Sequence, residues 1–150
     1  MTERRTSTAT CVDEAALRAF LSTQRDVAAA YLFGSHAAGR ATARSDVDIA
    51  VLLSADGDDA ALIERRLDLG RQLAQLVGGS LDLVVLNTAP IVLQHQVLRD
   101  GRLLYESDPG ARVDFEVRAG KMYADLRPVR EFFRRSLFRE IEEGRLGERR

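Results

Sequence analysis

The sequence predicts an α/β domain of the α+β type, and three observations carry that prediction. Short apolar runs suited to strands alternate with amphipathic stretches at helical spacing. A glycine pair and two Asp-Gly steps punctuate them. A long closing stretch then holds one apolar stripe at helical spacing and no strand pattern. The chain has 150 residues, 45% of them hydrophobic and 30% charged, which fits one hydrophobic core and a well-solvated surface.

Asp13 is placed to cap a helix over 14–23, with Ala16, Leu17, Phe20 and Leu21 on one face. Residues 26–33 form a continuous apolar run, as in a strand buried on both sides, and Gly34-Ser35 ends it. A second strand over 46–53 sets Val47, Ile49, Val51 and Leu53 against Asp46, Asp48 and Ala50. After a loop over 54–59, residues 60–77 read as a helix, stopped by Gly78-Gly79. Residues 81–86 form a third strand, 90–98 a helix closed by Asp100-Gly101, and 102–105 a last short strand with Tyr105 in the core. From Phe115 through Ala119, Met122, Leu126, Val129, Phe133 and Leu137 to Ile141, apolar residues advance by three or four. Pro128 should break that stripe just before itself. Phe132 falls off the stripe and marks a candidate interface. The expected layout is a flexible tail over 1–12, a domain over 13–108, a helical extension of the same unit over 109–143, and a tail over 144–150.

Several function classes are set aside. One cysteine, Cys11, excludes an intrachain disulfide and gives no basis for a cysteine zinc site. His36 and His95 are too far apart to be a helical ligand pair and read as ordinary polar residues. No apolar run reaches the roughly 18 residues of a membrane span, and the N-terminus lacks a signal-peptide core, so a soluble, cytoplasmic protein is expected. The net charge of -1 argues against direct nucleic-acid binding. That figure averages two halves. Residues 1–110 hold 11 basic and 15 acidic side chains, a balance of -4, and residues 111–150 hold 11 and 8, a balance of +3. No P-loop pattern is present, the sole lysine is Lys121, and no G-x-G-x-x-G follows a strand.

The chemistry concentrates between Tyr31 and Val51. Asp46 and Asp48, two apart on a strand, point to one face, where they repel unless a cation lies between them. Oxygen ligands of this kind suit Mg²⁺. Gly34 ends its strand where a backbone can approach a ligand closely, and Ser35 offers a hydroxyl and an amide hydrogen, so together they suit phosphate. Asp82, a lone acid in the strand Leu81–Leu86, can complete a three-carboxylate site able to hold two metals roughly 4 Å apart. Arg40 and Arg44 flank the segment, as phosphate contacts or as solvated loop residues. The arginines 127, 130, 134, 135 and 139 read first as a solvated face, with Glu131 pairing to Arg127 and Arg135 at i,i+4, and second as a surface for an acidic partner.

Gly34-Ser35, ten residues, then Asp46-Val47-Asp48, with Asp82 on a later strand, resembles the active-site signature of the DNA polymerase β-like nucleotidyltransferase superfamily. Gly34-Ser35-His36-Ala37-Ala38-Gly39, Ser45 to Ile49 and Leu98 to Glu106 resemble its minimal nucleotidyltransferase branch. Tyr123-Ala124-Asp125-Leu126-Arg127-Pro128, after Phe115, is similar to the longer members, which act as antitoxins. The resemblance spans about residues 26 to 143 and implies a nucleotidyltransferase fold, a small mixed β-sheet flanked by helices with a C-terminal helical extension. It implies that Asp46 and Asp48 bind the metals gripping ATP, that Asp82 serves the metal nearest the nucleophile and helps take its proton, and that Gly34 and Ser35 hold the outgoing phosphates. It further implies transfer of AMP to a hydroxyl, as of a tyrosine, on a HEPN-domain ribonuclease toxin, within a hetero-oligomer. The alternatives are a catalytically silent antitoxin acting by binding alone and a small-molecule nucleotidyltransferase, which usually carries a further helical domain.

Overall fold

The computed structural model describes residues 12–41, 45–54, 57–142 and 144. Cys11, Arg44 and the expected tails, apart from Val12 and Gly144, lie outside them. The order is α1 (Glu14–Ser22), β1 (Val27–Phe33), α2 (Gly34–Ala37), β2 (Val47–Leu53), α3 (Asp59–Val77), β3 (Leu81–Val85), α4 (Ile91–Asp100), β4 (Arg102–Glu106), α5 (Pro109–Asp125) and α6 (Arg127–Glu142). The four strands form one mixed sheet in the order β3-β2-β1-β4. β1 runs antiparallel to β2 and β4, whereas β2 and β3, joined through α3, are parallel.

The apolar runs explain the layering. Every residue of β1 is buried, as a central strand covered on both faces requires. On one face α1 and α3 supply Leu17, Leu21, Leu69 and Leu73 against Leu32, Ile49 and Val51. On the other, α4 and α5 supply Val97, Phe115 and Ala119 against Tyr31, Ala50 and Leu52. The Asp48 face of β2 is therefore apolar beyond Asp48 itself, because α5 and α4 cover Ala50 and Leu52.

Helix ends follow local chemistry. Asp13, Asp58 and Asp108 each accept a backbone N–H three residues on, capping α1, α3 and α5. Gly78 ends α3 in the left-handed conformation. Gly101 is required for a different reason: a Cβ there would lie 2.3 Å from the carbonyl oxygen of Val97 and 3.3 Å from that of Leu32. The step from α4 into β4 is thus packed directly against β1. Beyond β3, the Asn87 side chain continues the ladder, donating to the Leu53 carbonyl and accepting its N–H.

The helical break falls at Leu126, whose N–H turns back to Met122 and Tyr123. Pro128 occupies the first turn of α6, where a missing donor is tolerated. The apolar stripe is only half used. Phe115 and Ala119 are buried, but Met122, Val129, Phe133, Leu137 and Ile141 are exposed, and α6 buries none of its residues. Tyr105 is half-buried at the margin of the α1/α3 core rather than within it. Glu131 pairs with Arg134 at i,i+3, in place of the expected i,i+4 partners. The His95 ring stacks on Tyr123 at 3.5 Å, and Arg130 lies 3.7 Å from the Tyr123 centroid, so one stack links α4, α5 and α6.

Arg65 on α3 ties the sheet to its helical layer. It forks onto both carboxylate oxygens of Asp26 at 2.6 and 2.7 Å, and reaches Gln24 at 2.7 Å and Asp68 at 3.0 Å. The Arg65 hydrogen bonds hold the Asp26 carboxyl below its ordinary range, against the opposing effect of burial. A depressed carboxylate contributes stability above its unfolded value of about 3.8 and loses it as pH falls through the folded value. Arg65→Ala should lower stability by about 1–2 kcal/mol at pH 7. Urea titrations at pH 7 and pH 3 should show that difference shrinking at the lower pH.

Candidate functional site

The site begins where β1 ends. Gly34 has φ +71, so the chain turns straight from the strand into the single turn of α2, stabilised by Ala38 N–H to Gly34 and Arg40 N–H to Ser35. In the sheet, Phe33 is the register partner of Asp48, and Asp48 is the register partner of Asp82. One row across three strands thus brings together the turn at Gly34 and two of the three candidate acids. Asp46 stands one residue ahead of β2 and is exposed, Asp48 is half-buried, and Asp82 is exposed on the edge strand.

Gly34 and Asp48 are in close contact. A Cβ on Gly34 would meet Asp48 Oδ2 at 2.1 Å and its Cγ at 3.0 Å. The carboxylate therefore rests against the glycine, and no other residue leaves that space. Burial, then the charges of Asp82 and Asp46, push the Asp48 carboxyl above the usual carboxylate range, while His36 opposes them. This is the like-charge conflict anticipated for an acid pair without its cation.

Beside Gly34 lies a pocket of about 500 Å³ lined by Phe33, Gly34, Ser35, Ala38, Arg40, Gln96 and Asp100. Ser35 and Arg40 thus share one concavity with the turn. α4 contributes its outer face, a contribution that sequence spacing alone did not indicate. His36 was also underrated. It follows the turn, acts electrostatically on Asp48, and its Nε2 is buried without a hydrogen-bond partner. The only sequence signal was its position two residues after Gly34.

The donor set suits a hard divalent cation: oxygen ligands only, mutually repelling until neutralised. Among the described residues no three acidic, histidine or cysteine groups already converge around one point. Among the described residues no helix is long and apolar enough to cross a membrane.

Three comparisons bear on this geometry. The sequence model of the family described as "Polymerase beta, Nucleotidyltransferase" matches residues 15–110. The protein adenylyltransferase MntA of Shewanella oneidensis is 36% identical over 101 residues, covering 67% of this chain and 69% of that protein. Among solved structures, a toxin–antitoxin crystal structure with AMP-PNP superposes with a TM-score of 0.71 at 30% identity, over 84% of this chain and 98% of its own. A complex of tri-AMPylated Shewanella oneidensis HEPN toxin with an MNT antitoxin gives 0.64 at 28% identity, over 83% and 95%.

Proposed function

The chain belongs to the polymerase beta nucleotidyltransferase family, and from that premise we propose that it is a protein adenylyltransferase acting as an antitoxin. It moves AMP from ATP to a hydroxyl, that of a tyrosine, on a partner HEPN-domain ribonuclease toxin, with which it forms a hetero-oligomer. The observation carrying this reading is the Phe33–Asp48–Asp82 row, with Gly34 pressed on the Asp48 carboxylate.

In the proposed reaction the acceptor oxygen attacks the α-phosphorus, the bond to the α,β-bridging oxygen breaks, and pyrophosphate leaves. Gly34 and Ser35 hold the outgoing phosphates beside Arg40. Asp82 lies toward the acceptor and helps take its proton. Asp46, Asp48 and Asp82 would hold Mg²⁺, which when bound neutralises charge on the phosphates and on the attacking oxygen. The extents 13–108 for the catalytic unit and 109–143 for its helical extension belong to this reading, as does a cytoplasmic setting.

The neighbouring gene should encode a small helical protein with an Arg-x(4–6)-His motif. Incubated with this chain, ATP and Mg²⁺, that protein should gain the mass of one or more AMP units. An unchanged intact mass would refute the proposal. A second reading, neutralisation by binding alone, draws on the uncovered face of α6, where Phe132, Phe133, Leu137, Phe138 and Ile141 are all exposed. Neutralisation that survives loss of Asp46 and Asp48 but not of α6 would favour it.

A further inference from the structure

α6 buries none of its residues. It is tied back to α5 through Arg130, which donates to the Tyr123 hydroxyl and lies over that ring. Its large apolar side chains, Val129, Phe132, Phe133, Leu137, Phe138 and Ile141, are 49 to 66% exposed. Apolar surface concentrated in this way marks a site of association. The order of these residues points to what fits there. Read outward from Arg135 in both directions, α6 mirrors itself by residue type. Phe133 answers Leu137, Phe132 answers Phe138, and Val129 answers Ile141. Arg130 answers Glu140, and Glu131 answers Arg139, each with the opposite charge.

We infer that α6 is a dimerisation surface of this chain, on which a second copy packs its own α6 antiparallel about a two-fold axis level with Arg135. In such a contact each residue stands level with its mirror position on the other helix, so the surface must be self-complementary on reversal. The helical repeat of about 3.6 residues then fixes the face. Phe133 and Leu137 straddle its centre line, and Val129 and Ile141 extend it at either end. Arg130 and Glu140 border the line, so each cation stands level with the other copy's carboxylate. Arg135 lies half a turn away and does not meet its own copy. A parallel pair would instead set Arg130, Arg134 and Arg139 each level with itself, a like-charge cost that the antiparallel pair avoids. A surface shaped only for an unrelated partner needs no mirror order, and this favours a second copy. A helix of 16 residues is about 24 Å long, so the area covered falls at the small end of specific interfaces and micromolar self-association is expected. The inference does not rest on the catalytic function proposed above.

The test is sedimentation velocity of the purified full chain alone, from about 1 to about 100 µM. Wild type should pass from monomer to dimer as concentration rises. Phe133→Glu and Leu137→Glu should each raise the dimer dissociation constant at least about tenfold. Phe132→Glu removes an equally exposed phenylalanine about a third of a turn off the centre line, and should stay within about twofold of wild type. All three positions are open to solvent and glutamate suits a helix, so unchanged far-UV circular dichroism is expected. A wild-type chain that stays monomeric, or that assembles beyond the dimer, would overturn the inference. So would a wild-type dimer constant in both Phe133→Glu and Leu137→Glu. Equal weakening by Phe132→Glu and Phe133→Glu would also overturn it, as the mark of a generally adhesive helix. A wild-type monomer whose toxin binding is lost in Phe133→Glu would overturn it in favour of the toxin as occupant.

Discussion

Asp46→Ala/Asp48→Ala should abolish AMP transfer, with a loss of at least about 10³-fold, or roughly 4 kcal/mol of transition-state stabilisation. The fold should not suffer. Asp48 is half-buried beside two other acids, and its carboxyl is pushed upward by burial and by their charges. Removing it relieves a cost that the folded chain carries without a cation. The melting temperature should therefore stay at or above that of wild type in the absence of metal. Asp48→Asn, which keeps the shape and removes the charge, should be nearly as inactive. Transfer within tenfold of wild type in the double variant would contradict the assignment of these acids.

Gly34→Ala should be the most damaging single change that alters no charge. It adds one methyl group at φ +71, where left-handed backbone costs an L-residue about 1–2 kcal/mol. It also drives that methyl into Asp48 Oδ2, so the carboxylate must move. A loss of at least about 10²-fold in kcat is expected, as for a misplaced catalytic group. Gly39 supplies the control. It has φ +70, yet nothing lies within 4 Å of a Cβ built there. Gly39→Ala should lose comparable stability and retain transfer. Equal activity in the two variants would mean that backbone strain, and not the carboxylate contact, is what Gly34 relieves.

Much of this was legible in the sequence because the relevant signals are local. The continuous apolar run of β1 and the alternation in β2 fixed both strands to within a residue at either end. Asp46, Asp48 and Asp82 could be singled out because an acid in an apolar strand needs a reason. Pairing is non-local, however. No spacing says that β1 lies between β2 and β4, or that Asp48 and Asp82 share a register position. The pocket wall from α4 and the buried Nε2 of His36 depend on that pairing and were invisible for the same reason. The stripe from Phe115 to Ile141 shows the opposite limit. Periodicity correctly marked a helical face, but a face does not reveal what covers it, and past Ala119 this chain leaves most of it open.

The central claim is that the α-phosphate of ATP becomes covalently attached to the partner toxin. The most direct measurement follows two labelled forms of ATP, one carrying the label in the α-phosphate and one in the γ-phosphate, through incubation with the chain, the toxin and Mg²⁺. The account predicts label on the toxin from the α-position alone, with the γ-label recovered as pyrophosphate. Label on the toxin from the γ-position, or from neither, would contradict it.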